Sequence, residues 1–330
     1  TIIRSDDLLA RQDNLRRIIN DRYVKRGSIL DSNNNPLAMT LGNPGDYYRT
    51  INDSSLSATI GYINPIHGLG GIEFSMDKYL RGVAGLPSSD ITFSNLLYSQ
   101  PPTGLDLRTS INIKVQNQLT SILSNFTGAA IVMNASSGEI LGLWTSPTFD
   151  SNNLENNWDD WKSDPKSPLI NRASQGYYPV GTLISPFLLT FSGMDNFDSS
   201  FSVRSENCAI PISSISDRQF DVYLKNGCEE IMVKSIELIP ENEINNFFNT
   251  FGWTEQLQFE LPQIDPVQIS NVNSDNFLSN LHLSPLQITR SFAIFSNNGI
   301  LPNPRIGMAV NIPNRGWVVL SSYNSKQIGE

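Results

Sequence analysis

The chain has 330 residues, 39% of them hydrophobic and 17% charged, which is globular composition and enough length for a large core, in keeping with two domains rather than one. Its formal net charge of −9 argues against a sequence-independent nucleic-acid binder, which needs a basic face, and disfavours docking on anionic lipid. No apolar run reaches the ~18–20 residues that cross a bilayer, and the opening "TIIRSDDLLARQDN" lacks a signal-peptide core, so the expectation is a soluble chain or one cut after an anchor.

In chain order, "KRGSILDSNNNPLAMT" reads as a hairpin: apolar and β-branched residues flank an Asn-rich turn closed by Pro36. "YYRTI" at 47–51 is a further short strand, and the paired prolines of "SQPPTG" (99–104) mark the best domain boundary. "LDLRTSINIKVQNQLTSILSNF" begins as a strand and continues as a helix, with Ile113, Val115, Leu119, Ile122 and Leu123 near helical spacing. "GAAIVMNASSGEILGLWT" (128–145) predicts two apolar strands around a tight turn in which Gly138 is free to take positive φ. "ISPFLLTFSGM" and "SPLQITRSFAIFSNNG" read as buried helices. The second is capped by a serine before Pro285 and stopped at Gly299. The sum is an α+β fold.

Two cysteines, Cys208 and Cys228, have no zinc-type spacing. They are two small buried hydrophobes in a reducing compartment, or close a loop of about 20 residues in an oxidising one. His67 and His282 are far apart and are read as structural or surface residues, so neither a metal nor a cofactor is expected.

Several stretches together resemble one known family. "RQDNLRRI", "RGSILDSNNNPLA" and "GIEFSMDKYLRG" resemble, in that order, the N-terminal pedestal of class B penicillin-binding proteins. "LDLRTSINIKVQNQL", the 128–154 stretch, "PLINRASQGYYPVGT" and "LSPLQITRSFAIFSNNGILPNPRI" resemble landmarks of their peptidoglycan D,D-transpeptidase domain. The resemblance implies a β-rich pedestal or dimerisation-like domain at 1–103 and a transpeptidase-like domain at 104–330, with an antiparallel sheet whose last three strands are not evident here. It also implies a bacterial, extracytoplasmic protein tethered by an N-terminal helix absent from this chain. A disulfide between Cys208 and Cys228 is then expected.

The family's chemistry needs S-x-x-K at a helix start, where serine and lysine share a face and the amine activates the hydroxyl. It also needs S-x-N beside the nucleophile and K-[ST]-G on a strand. In "PVGTLISPF", Thr182 stands in the serine's place and Ser185 in the lysine's, and Thr182 is a good N-cap for the following helix. The counterpart of the second motif is "SIE", with Ser235 and with Glu237 replacing asparagine, and no K-[ST]-G occurs in the 330 residues. "SMDK" (Ser75–Lys78) and "SDPK" (Ser163–Lys166) match S-x-x-K only by chance: the first lies in the pedestal and the second holds a proline.

These substitutions lead to the expectation of a catalytically inactive homologue, not an enzyme, that binds or scaffolds at the cell envelope. Its expected partners are cell-wall synthesis proteins, peptidoglycan, and a protein that completes or covers the sheet. One alternative is a transpeptidase using Thr182 with a base such as Lys234; the other is a structural subunit of a larger envelope assembly.

Overall fold

The computed structural model describes residues 23–86, 103–192, 236, 239–267, 281–321 and 325–327. Strands β1 (Ile29–Leu30) and β2 (Pro36–Leu41) form the first hairpin. Its turn is fixed by Asp31, whose Oδ1 accepts from the backbone N–H of Asn33 (2.8 Å) and of Asn35 (2.7 Å), while Asn34 takes φ 66°. Asparagine and aspartate suit this role because a short side chain bonds its own backbone and tolerates the left-handed region. Strand β3 (Tyr48–Ile51) continues the meander, and β4 (Tyr62–Asn64) pairs with β5 (Gly68–Gly70) in a small hairpin. Two short helices follow, α1 (Gly71–Ser75) and α2 (Asp77–Leu80).

Strand β6 (Leu107–Thr109) then runs parallel to β1. The two segments meet closely: a Cβ on Gly27 would lie 1.9 Å from the Leu105 carbonyl oxygen, so only glycine fits there. Helix α3 (Ile113–Leu123) starts at Asn112, whose side chain accepts from Lys114 N, and packs on the next hairpin through Val115 and Leu119. Its apolar face departs from the expected one in one place: Ile122 is 72% exposed, while the fully buried residue is Gln116. Gln116 accepts from Leu143 N (3.0 Å) and donates to Ser55 Oγ (3.3 Å), so the buried amide is satisfied on both sides.

The predicted hairpin is β7 (Gly128–Met133) and β8 (Ile140–Ser146), with Gly138 at φ 74° in the turn. Helix α4 (Leu154–Ser163) and the short α5 (Arg172–Gln175) lead to β9 (Tyr178–Pro179) and helix α6 (Ser185–Ser192). Helix α7 (Glu241–Thr250), β10 (His282–Leu283) and helix α8 (Pro285–Phe292) follow. The last strands are β11 (Ile300–Leu301), β12 (Gly307–Ile312), β13 (Gly316–Val319) and β14 (Lys326–Gln327).

The main sheet runs β13-β12-β6-β1-β2-β3, so its strands come from both halves of the chain. One core lies against it, with Ile29, Leu37, Leu107, Ile140, Leu143 and Val310 among its buried members. A second, aromatic core gathers Phe187 of α6, Phe247 and Phe248 of α7, Phe251 and Trp253. Edge-to-face contacts at 5.0–5.3 Å join Phe187 to Phe251 and Trp253, the geometry that aromatic rings prefer. This core fixes the helix that begins at the site.

Candidate active site

The stretch before α6 is placed by a two-strand clasp. β9 pairs with β10 in the register Pro179 with His282 and Tyr178 with Leu283, and Val180 N donates to Leu281 O at 3.2 Å. The Tyr177 and His282 rings stack 4.6 Å apart at 15°. Both histidines are in fact ring partners: His67 stacks on Trp158 at 4.3 Å. Among the described residues no cluster of metal-ligating side chains occurs.

The chain then turns through Gly181 at φ 57°, a left-handed position that glycine adopts without strain, into a 3-10 turn (Gly181–Ile184) that runs into α6. Thr182 is exposed on this turn. Its expected role as N-cap is not what the structure holds: Val180 occupies the cap position, and no side-chain cap bond is made. The turn is closed through the Thr182 carbonyl, which accepts from Ser185 N and also from Ser185 Oγ at 2.9 Å. Ser185 is 7% exposed. Its hydroxyl proton is thus directed into the backbone, and the side chain offers Thr182 no base.

Behind the turn, α6 is held by Phe187 and Leu188, both fully buried. Trp253 Nε1 donates to Ser291 Oγ (2.7 Å) on α8, and Ser291 Oγ bonds the carbonyls of Gln287 (2.9 Å) and Phe251 (3.1 Å). α8 opens with a complete capping box between Ser284 and Gln287. Its Arg290 is buried and donates to Pro302 O at 2.8 Å; burial pulls its pKa to about 10, opposed by Glu255. On the hairpin side, Asn171 caps α5, and Arg172 donates to the carbonyls of Lys166, Ser167 and Pro147. Glu139 and Arg305 pair at 2.8 Å and tie the hairpin turn to the chain before β12.

Of the residues singled out from sequence, Thr182 and Ser185 come together in one turn. Ser235, Glu237, Lys234, Cys208 and Cys228 lie outside the described residues. The two stray S-x-x-K strings are structural. Ser75 and Lys78 sit on two helices broken at Met76, and Ser163 ends α4 with its hydroxyl on Asp159 O (2.7 Å). Sequence reasoning missed the Tyr177–His282 stack, because its two halves lie far apart in the chain and meet only through the β9–β10 pairing.

The fold and this turn define an α+β protein of the penicillin-binding transpeptidase class. The family model for the penicillin-binding protein transpeptidase domain matches residues 128–328, and the chain belongs to that family. Penicillin-binding protein 3 of Bacillus subtilis is 24% identical over 270 residues, covering 72% of this chain and 40% of that protein. The peptidoglycan D,D-transpeptidase MrdA of Escherichia coli K12 is 26% identical over 158 residues, covering 44% of this chain and 24% of that protein. The chain therefore spans less than half the length of these curated relatives. Penicillin-binding protein A of Mycobacterium tuberculosis, solved as its imipenem acyl-enzyme complex, superposes with a TM-score of 0.78 at 17% identity, over 94% of this chain and 79% of that one.

These findings correct one expectation. The two substitutions at 182 and 185 led to a protein outside the enzymes, yet the relatives are named as transpeptidases and the structural neighbours include acyl-enzymes. The chain is a member of an enzyme family, and a changed pair of side chains does not remove it from that family.

Proposed function

We propose that the chain works at the extracytoplasmic face of the cell envelope, within peptidoglycan synthesis, and that its transpeptidase fold serves there as a binding or scaffolding component. The observation that carries this reading is the Ser185 hydroxyl donated to the Thr182 carbonyl at 2.9 Å, where the family places a lysine that activates its neighbour. A binding role asks only for the frame that surrounds the turn. The open edge of β7 supplies a candidate contact, since among the described residues β7 pairs with β8 alone. An edge of six half-buried residues with free backbone donors and acceptors is suited to receiving an extended strand, from a partner protein or from a further segment of the same polypeptide. The anchoring of the protein belongs to this proposal as well; no helix of the described residues is long and apolar enough to cross a membrane. Co-sedimentation with purified insoluble peptidoglycan and with detergent-solubilised cell-wall synthesis proteins tests the reading. Retention by either supports it, and free passage of the chain past both contradicts it.

The exposed Thr182 hydroxyl favours a second reading, acyl transfer through that oxygen. In that reaction Thr182 Oγ attacks an amide carbonyl carbon, the C–N bond breaks, and the hydroxyl proton reaches the departing amine through a base that residues 182–185 do not provide. The extra methyl of threonine crowds the same approach. Labelling by a fluorescent penicillin reports this chemistry directly.

A further inference from the structure

Strand β3 lies at one end of the main sheet and pairs only with β2. Asn52 N donates to Leu37 O (2.9 Å) beside the Ile51–Ala38 pair, so Thr50 and Asn52 turn their backbone groups toward β2. Arg49 and Ile51 therefore turn theirs outward, by the alternation of an antiparallel ladder. At Ile51 that outer edge is already met. Its N–H donates to Asn152 Oδ1 (2.9 Å), and Asn152 Nδ2 donates to its carbonyl (2.8 Å). One side-chain amide thus does at Ile51 what the peptide group of a further strand would do. Two residues along, the N–H and C=O of Arg49 point the same way and have no partner among the described residues.

This edge opens on a cavity of about 520 Å³, lined by Arg49 and Asn152 and faced across by Ile63 and Leu69 of the β4–β5 hairpin. In its inner wall Arg26, Arg49 and Arg81 are set against the carboxylates of Glu73, Asp77 and Asp106, so the charge open to a ligand lies at the rim. There the lining holds Asp46 and Glu155, both exposed, and the Asp46 carboxylate has no partner among the described residues. On the outer face of the sheet, Tyr48 and Leu41 are cross-strand neighbours, 60% and 39% exposed. They form an apolar step on which a side chain of an added strand can rest.

We propose that this edge takes up an extended, basic peptide segment of a partner protein, which pairs with Arg49 as a further strand and lays an apolar or aromatic side chain on Tyr48. Main-chain hydrogen bonds hold such a segment, alternate side chains select it, and the acidic rim favours flanking lysine or arginine. The four residues of β3 span about 13 Å, which sets the length of the paired segment at about four or five residues. The site stands apart from Thr182 and from the β7 edge, and does not depend on either.

NMR titration of the whole chain tests it with the blocked pentapeptide acetyl-KTYTK-amide, whose alternation puts tyrosine and both lysines on one face. The expected result is saturable shifts at 47–51 and 151–156, with the Arg49 amide among those moved furthest. Two N-methylated forms, modified at peptide positions 2 and 4 or at positions 1, 3 and 5, remove the backbone donors of opposite edges. One form is expected to lose about 10-fold or more in affinity, and the other to stay within about threefold. Asp46→Asn combined with Glu155→Gln, two exposed changes that leave the strand edge intact, is expected to weaken binding of the lysine peptide about threefold or more. Equal effects of the two N-methylated forms overturn the strand pairing, and equal binding of acetyl-ETYTE-amide overturns the basic partner. No shift with any peptide, or shifts confined to other residues, overturns the proposal as a whole.

Discussion

Ser185 illustrates how much one hydroxyl changes at a helix start. A lysine there would share a face with the residue three positions earlier, whereas the serine folds its proton onto that residue's carbonyl. Elsewhere single side chains hold the frame of the site. Ser291 accepts from Trp253 and bonds two carbonyls inside the aromatic core, so Ser291→Ala leaves the indole N–H unmet. Urea denaturation is expected to show a loss of about 1–3 kcal/mol for that variant. Glu260 gives a pH-dependent counterpart. Burial raises its carboxyl above the ordinary value of 4.5, against the hydrogen bonds it accepts from Gly307 and Ile306. A carboxyl with a raised folded pKa holds its proton more tightly folded than unfolded. Its favourable contribution is therefore full below about pH 4.5 and lost as pH rises through the raised value. Glu260→Gln, which keeps an acceptor without the charge, should gain Tm relative to the parent chain between about pH 4 and pH 7. A constant difference across that range would contradict this.

At the scale of elements, α8 owes its start to local chemistry. Ser284→Ala removes the acceptor for Gln287 N, and calorimetry is expected to show a loss of about 1 kcal/mol. The serine cap of that helix, the Asn-rich turn at 31–35 and the Gly138 turn were all legible in the sequence, because each depends on residues within a few positions of one another; the Gln287 half of the capping box was not read there. The hairpin at 128–146 was legible for the same reason, its apolar strands standing on either side of a polar turn. The face of α3 was less so. Periodicity includes Ile122, which the fold leaves in water, and passes over Gln116, whose burial depends on Ser55 and Leu143 from other elements. The candidate site divides in the same way. The substitution of Thr182 and Ser185 into the family frame was visible in one short string, but the path of the Ser185 proton was not. Nor was the 3-10 turn that takes Thr182 out of the cap position, since it follows from Gly181 at positive φ and from the β9–β10 clasp.

At the scale of the whole molecule, the main sheet takes β1–β3 from the N-terminal part and β12–β13 from the last fifth of the chain. Arg108 of β6 lies over the Trp317 ring at 4.0 Å and adds a cation–π contact between distant segments. The β7–β8 hairpin stands outside that sheet, and a two-stranded ribbon depends on its covering helices for stability. In the isolated chain, hydrogen exchange is expected to be slow for hairpin amides bonded between β7 and β8 and faster for those on the outer edge of β7. Strong protection on both edges without any partner would contradict the strand-accepting role proposed for that edge.

The central claim is that the pair at 182 and 185 sets the balance between holding a ligand and reacting with it. Intact-mass spectrometry after timed exposure to benzylpenicillin tests this most directly, on the parent chain, on Thr182→Ser, and on Thr182→Ser combined with Ser185→Lys. The account predicts that the double variant gains the acyl mass about 100-fold or more faster than the parent chain, and that Thr182→Ser alone changes the rate less than about 10-fold, because nucleophile and base act as a unit. A parent chain acylated as fast as the double variant would contradict it.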